Sequence, residues 1–240
     1  MSNAAPTAQI PLILTQEFDC GYLPEKKARN QAVYPPAIVD TDAYGLLIKK
    51  GFRRSGVHIY RPACDTCDAC KSLRIPVDGF TPSRTQRRVW KQHSNLRAIV
   101  RDPEFDDEHY ALYQAYQQFR HTESDMNVDD PKAYKDFLLN SFIATALVEF
   151  RLGDELKMVC SIDVMPEVGL SAVYTYYADD VGASYGTYAI LWQVHHARRM
   201  GLPHVYLGYW VDQSITMGYK TRFQPYEILH QGVWSRHSTS

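Results

Sequence analysis

Between residues 141 and 178 three apolar segments, "SFIATALVEFRL" (141–152), "LKMVCSIDVM" (156–165) and "GLSAVYTYYA" (169–178), are separated only by "GDE" and "PEVG". β-Branched and aromatic residues bounded by turn residues read as strands. Connections this short can join only antiparallel neighbours, so the three form a meander. "ASYGTYAILWQVHHARRMG" (183–201) then reads as a helix, with Ala189, Ile190, Trp192, Val194 and Ala197 apolar, basic residues in its last turn and Gly201 as its stop. "HVYLGYW" (204–210) reads as a further strand, and "DQSITMGYKTRF" as a helical segment capped by Asp212. Strands of this order have to bury a face against helices.

The expected class is α+β: a mixed sheet flanked by helices, in the order of an acyltransferase core of the N-acetyltransferase (GNAT) type. Acetyl-CoA enzymes with this core carry a [QR]-x-x-G-x-[GA] loop, whose backbone amides cradle pyrophosphate at a helix N-terminus. The frame set by Gly186 is Ala183-Ser184-Tyr185-Gly186-Thr187-Tyr188. Its first position is Ala and its last is bulky, so pyrophosphate fits poorly and the fold is expected without coenzyme A. Residues 10–80 are rich in turn signals, with short helices expected at 24–34 and 40–50 and strands at 57–60 and 72–78. Helices are expected at 81–95, 106–121 and 129–141. The expected organisation is a disordered start (1–9), an N-terminal region with cysteines and a basic block (10–100), a helical segment (101–140) and the acyltransferase-like core (141–240).

A formal net charge of −1 hides a strong asymmetry. From Lys49 to Arg101 thirteen Lys/Arg stand against three acids, a net +10 in 53 residues; from Asp102 to Asp136 ten acids stand against three bases. A block this basic is the footprint of a polyanion partner or a solvated face paired with the acidic segment. In a helix over 81–95, Arg84, Arg87, Arg88 and Lys91 share one face, a stripe that repels itself unless an anion lies against it. No run approaches the length of a membrane span, and residues 1–9 lack the pattern of a signal peptide, so the protein is expected in the cytoplasm, with no membrane partner.

Five cysteines, three of them in "RPACDTCDACKSLRI" (61–75), do not form a secreted disulfide framework. Cys64, Cys67 and Cys70, with Cys20 from "DCGYLP", could supply four thiolates to zinc or an iron–sulfur cluster. Reduced structural thiols are the other reading, and both stay open. Cys160 falls inside an apolar strand and reads as core. No G-x-S-x-G, P-loop, dinucleotide glycine motif or H-E-x-x-H occurs.

"DCGYLP", "GFRRSG", "YRPACDTCDACKSLRIPVDGFTPSRTQRRV", "YTYYADD", "GTYAIL" and "LGYWVDQSITMGYKTRFQPYEIL" together resemble the aminoacyl-tRNA–protein transferases. The likeness is to their shorter bacterial branch, the aspartate/glutamate leucyltransferases, and runs in order from about residue 10 to 230. It implies a GNAT-like fold and transfer of leucine from Leu-tRNA to the α-amine of proteins beginning with Asp or Glu, marking them for degradation, with no DNA partner. Eukaryotic arginyltransferases carry C-G-Y-C and an adjacent Cys-Cys, associated with an iron–sulfur cluster or metal. Here position 23 is Leu and the later cysteines are spread, so that cluster does not carry over directly.

The implied reaction is aminolysis of an already activated ester, so no cofactor is required for the chemistry. The attacking amine, with an ordinary pKa near about 8, must lose a proton. Asp163 and Glu149 are the candidate catalytic carboxylates. Arg53, Arg54, Lys220 and Arg222, with Tyr219, lie in the resembling motifs and are candidates for the acceptor; Arg84, Arg87, Arg88 and Lys91 are candidates for tRNA phosphate. Two competing functions remain: a coenzyme-A-dependent small-molecule N-acyltransferase, and a noncatalytic, metal-stabilised RNA-binding module.

Overall fold

The computed structural model describes residues 10–120 and 130–238; the expected disorder of residues 1–9 lies outside them. Strands β1 (Leu12–Leu14), β2 (Phe18–Asp19), β3 (Lys27–Ala28) and β4 (Asn30–Val33) lead to helix α1 (Thr41–Lys49), then β5 (Arg53–Ser55), β6 (His58–Pro62) and β7 (Lys71–Pro76). Helix α2 (Arg84–Gln92), β8 (Arg97–Arg101), α3 (Asp107–Arg120) and the short α4 (Pro131–Tyr134) follow. The rest is β9 (Thr145–Leu152), β10 (Glu155–Met165), β11 (Gly169–Tyr177), α5 (Tyr185–Arg199), β12 (His204–Trp210), a 3-10 segment (Ile215–Arg222), β13 (Tyr226–His230) and β14 (Val233–His237).

Eight strands form one sheet in the order β14-β13-β7-β12-β11-β10-β9-β8, and β1-β4-β6-β5 form a second. In the large sheet only β11 and β12 run parallel. Strand β7 lies between β13 and β12. The sheet therefore draws on residues from both sides of the expected boundary at 100. Among the described residues no helix is long and apolar enough to cross a membrane.

Period-2 alternation assigns the two faces. Val148, Phe150, Met158, Cys160 and Ile162 pack with Val89 of α2 and Tyr188, Ala189 and Val194 of α5. Their neighbours Leu147, Val159 and Tyr176 pack on the other side against Tyr110, Tyr113 and Tyr116 of α3 and Tyr134 of α4. Helix α1 and the small sheet cover the rest of that face, with Tyr44, Leu47, Ile48 and Phe52 against Met165 and Tyr206. The helix starts follow local chemistry. The Asp40 side chain accepts from the Ala43 amide at the start of α1; Ser83 and Gln86 cap α2 reciprocally.

Several local expectations are corrected. Residues expected as a helix at 24–34 form β3 and β4, because Asn30–Val33 pairs with β1 on one side and β6 on the other. The helix expected over 129–141 keeps its α form only to Tyr134 and then widens into a π turn over Lys135–Leu139. The segment after Asp212 is 3-10 rather than α-helical.

What joins the small sheet to the large one is a buried ion pair. The Arg54 guanidinium donates from Nε and Nη2 to both oxygens of Asp163, with Nη2 to Oδ1 at 2.6 Å. It also reaches Thr145 Oγ1 and Gly56 O, and Thr145 Oγ1 donates to the same carboxylate. Both side chains are essentially without solvent exposure. A buried pair adds little net stability over an apolar substitute, but removing one partner strands the other charge. Asp163→Leu or Arg54→Met is therefore expected to cost about 3–5 kcal/mol, and the double change Arg54→Met/Asp163→Leu less than the sum. Denaturant midpoints of the four proteins check this.

Candidate active site

Strand β11 pairs with β12 through only two positions, Leu170 with Val205 and Ser171 with Tyr206. Beyond them both strands continue, to Tyr177 and Trp210, without pairing each other. Buried backbone groups need partners, and one side chain enters this opening to supply one: Arg53 Nη2 donates to Ala172 O at 2.8 Å. Two glycines shape the passage. At Gly169 (φ +146°) a Cβ would stand 2.2 Å from His204 O, so only glycine lets β11 start against β12. At Gly208 (φ +80°), at an irregularity in the pairing with β7, a Cβ would overlap the Arg53 guanidinium at 1.3 Å from Nη1.

The 3-10 segment closes one side of this opening. Lys220 is 8% exposed and donates from Nζ to Tyr209 O at 2.5 Å. Burial, and next the Arg53 guanidinium, push its amine down to about 7. Tyr219, 45% exposed, lies over it with Nζ 6.0 Å from the ring centroid. The charges of Arg53 and Arg120 and the hydroxyl of Tyr177 act on Tyr219. Arg222 ends the segment, exposed. Its carbonyl accepts from Gln86 Nε2, which fastens α2 to this wall. Arg84, Arg87, Arg88 and Lys91 all lie on the outer side of α2, exposed. Among the described residues none of the four is paired with a carboxylate; Arg87 donates to Pro82 O.

The two candidate carboxylates lie elsewhere. Asp163 is enclosed by Arg54 and Thr145. Glu149, also buried, accepts from Arg101, Arg151 and His109. Burial raises the Glu149 pKa, but the hydrogen bonds from Arg151, Arg101 and His109 outweigh it and hold the carboxyl below its usual range. Arg54 is spent on Asp163. Of the expected acceptor-binding residues, Arg53, Tyr219 and Lys220 gather at the opening, Arg222 ends the same 3-10 segment with its side chain exposed, and Arg54 is turned to Asp163. Sequence reasoning missed Arg120 and Tyr177, which distant elements bring there. Gly208 had a signal, since a glycine inside a strand marks a bulge or a close approach.

Cys20, Cys64, Cys67 and Cys70 all line one cavity of about 950 Å³, with Lys26, Lys49, Lys50 and Arg61 around it. The Tyr209 ring also lines it, and its hydroxyl donates to Gly51 O and Tyr60 O. The cavity and the opening thus meet at one residue, whose side chain faces the thiols and whose carbonyl holds Lys220. Burial, and then the three other thiols, push the Cys70 thiol up to about 11. Four soft donors suit zinc or iron. Yet among the described residues no three His, Cys, Asp or Glu side chains stand close enough to hold one ion, so the thiols share a wall without closing on a point.

Residues 18–88 match the arginine-tRNA-protein transferase N terminus, and residues 108–230 match the C terminus of the same family. The chain belongs to the arginine-tRNA-protein transferase family. Within that family it is 46% identical to a protein of Chromobacterium violaceum named aspartate/glutamate leucyltransferase, over 97% of this chain and 96% of that one. It is 45% identical to one of the same name from Nitrosospira multiformis, over 97% and 92%. The fold is shared more widely. The C-terminal domain of a lysylphosphatidylglycerol synthetase from Agrobacterium fabrum superposes with TM-score 0.52 at 12% identity, over 67% of this chain and 58% of that one. The L-PGS of Bacillus licheniformis gives 0.51 at 13%, over 70% and 58%.

For a transferase of this family the throat formed by Arg53 and Gly208 is testable. Gly208→Ala is expected to expel the guanidinium from the opening and to cost about 1–3 kcal/mol for the positive φ. Activity should fall further than Arg53→Met lowers it, as a denaturation curve and a transfer assay on both variants would register.

Proposed function

We propose that this chain transfers leucine from Leu-tRNA to the α-amine of proteins beginning with Asp or Glu, on a GNAT-type core that has given up coenzyme A. The observation that carries this is a single arrangement: an opening between two parallel strands, without a pyrophosphate cradle, whose wall is fastened to an exposed, unpaired basic helix. At the start of α5 the last position of the loop frame is the bulky Tyr188, and the Asp180 carboxylate accepts from the Tyr185 hydroxyl of the first turn and is ion-paired to Lys157. A carboxylate there opposes a pyrophosphate. A tRNA brings its phosphates to the surface instead, where Arg84, Arg87, Arg88 and Lys91 can meet them, and delivers only the 3′ ester to the opening. The names of the Chromobacterium and Nitrosospira relatives support leucine as donor and Asp/Glu as acceptor.

In this reading the ester carbonyl lies in the opening and the acceptor amine attacks its carbon. Preorganised donors beside the strand edge stabilise the oxyanion; Tyr219 and the remaining N–H groups of Arg53 are placed for this. The acceptor's acidic side chain needs cations, since a carboxylate buried without partners is costly. Arg222 and the lysines of the thiol-lined cavity, Lys26, Lys49 and Lys50, are suited to it and have no carboxylate partner of their own among the described residues. The ester is already activated, so the chemistry needs no metal. The four thiols of Cys20, Cys64, Cys67 and Cys70 do not close on one point as they stand, so a zinc ion or iron–sulfur cluster there would have to draw the Cys20 loop and the 64–70 loop together, and no step of the transfer is assigned to it.

Separately charged tRNAs offered to peptides starting with Asp, Glu and Ala test the reading. Transfer from Leu-tRNA to the first two and not the third is expected, and no thiol release from acetyl-CoA. Transfer indifferent to the first residue, or tRNA binding with no transfer, would sink it. Each phosphate contact contributes about 0.7–0.9 to the slope of log affinity on log salt. Replacing Arg84, Arg87, Arg88 and Lys91 by Ala should therefore flatten that slope by about 3 while leaving the folded protein intact.

A further inference from the structure

Aminolysis has to dispose of a proton, and the two carboxylates nearest in kind to the task are committed to arginines. Lys220 stands in a different situation. Its side chain is buried on the wall of the opening, and Tyr209 O is the one hydrogen-bond acceptor that its Nζ reaches among the described residues. A charged amine carries three N–H donors and a full charge that burial penalises. Here one carbonyl meets it, and the groups around it offer no anion. They are the Arg53 guanidinium from β5, Tyr209 from β12 and Tyr219 beside it in sequence, with Tyr177 of β11 and Arg120 of α3 reaching Tyr219. Burial and the Arg53 cation favour the neutral amine, whose nitrogen then keeps a lone pair, and no carboxylate among the described residues offsets them; the Tyr219 ring face is the one group beside it that favours the cation. The Tyr219 ring above it is nearly half exposed, so the amine lies one side chain below the surface.

We propose that Lys220 is the proton acceptor of the transfer step and not a fixed cation for the acceptor's carboxylate. This rests on the aminoacyl-transfer reading above. The acceptor's neutral α-amine forms the N–C bond to the ester carbonyl carbon, and the carbonyl oxygen takes up the electron pair. The nitrogen, now cationic, passes its proton to Lys220 Nζ. As the oxyanion collapses, the bond from carbon to the terminal ribose oxygen breaks. That oxygen takes the proton back from Lys220, leaving an amide, a free tRNA hydroxyl and the neutral lysine with which the cycle began. No oxidant, metal or external base enters the balance. Arg53 has two effects: it holds the strands' opening at Ala172 O, and its charge disfavours a second cation beside it.

Two measurements decide this. The first uses the folded wild-type protein without substrate: competitive acetylation with trace acetic anhydride from pH 5 to 10, read by peptide mass spectrometry. Half-maximal reactivity of Lys220 near pH 7 is expected, against about 10.4 for ordinary lysines. Reactivity rising only near pH 10, or a Lys220 that never reacts, would overturn the assignment. The second compares wild type, Lys220→Arg and Lys220→Met in single-turnover transfer from Leu-tRNA to an Asp-initiated peptide. Arginine is a fixed cation, able to hold a carboxylate but not to accept a proton, and methionine is neutral with no base, so both rates should fall by about 10²–10⁴ with KM for the peptide changed by less than about threefold. The neutral lysine is the active form, so the wild-type rate should rise with pH through two limbs, one near 7 and one from the acceptor amine near about 8. The arginine variant should keep only the second. An arginine variant with wild-type rate and profile would refute the proton-acceptor role while leaving the transferase reading standing. A wild type that transfers nothing would instead remove that reading, with the acetylation result still reporting on the amine.

Discussion

The structure hangs on two consecutive arginines. Strand alternation sends Arg54 into the Asp163 carboxylate under the large sheet and Arg53 to Ala172 O in the gap between β11 and β12. The first joins the small sheet to the large one with an ion pair sealed from water; the second props the gap that the site occupies. An ion pair this buried is a costly way to gain stability but a specific one, because no other packing leaves both charges satisfied. Its strength lies in register. A slip of one residue along β5 would put one arginine in the other's place and bring Phe52 or Ser55 into the place left over, so that either the opening loses its prop or Asp163 its guanidinium.

The opening itself follows from pairing that stops early. Parallel strands are joined through a long crossover, here through α5, and β11 and β12 need share no more than the two positions at which they meet. Past those positions the strand edges present groups that water, side chains or substrate must satisfy. An acyltransferase built this way can take an acyl group from any carrier whose activated end reaches the gap. What distinguishes carriers is the rim. Here the Asp180 carboxylate accepts from Tyr185 at the start of α5, while α2, fastened through Gln86 to Arg222 O, holds out four cations.

Charge is distributed by depth. On the surface, the α2 stripe has no carboxylate partners among the described residues and is free to meet phosphate. At the edge of the large sheet, Glu149 gathers Arg101, Arg151 and His109 into a network that ties β8 and α3 to β9. Inside the opening, Lys220 has no anion beside it among the described residues. A buried amine and a buried carboxylate are thus pushed in different directions by their surroundings: the first toward its neutral form by burial and Arg53, the second toward its ionised form by three donors.

Much of the architecture was legible in the residues. Alternation and short turns are local, so the meander of β9 to β11, the helix at 185–199 and the strand at 204–210 could be read directly, as could the capped start of α2 at Ser83. Elements that exist only because a partner lies alongside were not legible: β4 held between β1 and β6, β8 on the edge of β9, and the β13–β14 hairpin laid on β7. The site divided the same way. Its residue types and the motifs that hold them, from "GFRRSG" to "MGYKTRF", were determined by the sequence alone, as was the lack of a pyrophosphate loop. Which arginine is structural, which carboxylates are locked away and which buried lysine is left without a counter-ion were decided only by the tertiary structure, because burial and the distance to an opposite charge depend on residues from other elements, as many as 109 positions away for Arg54 and Asp163.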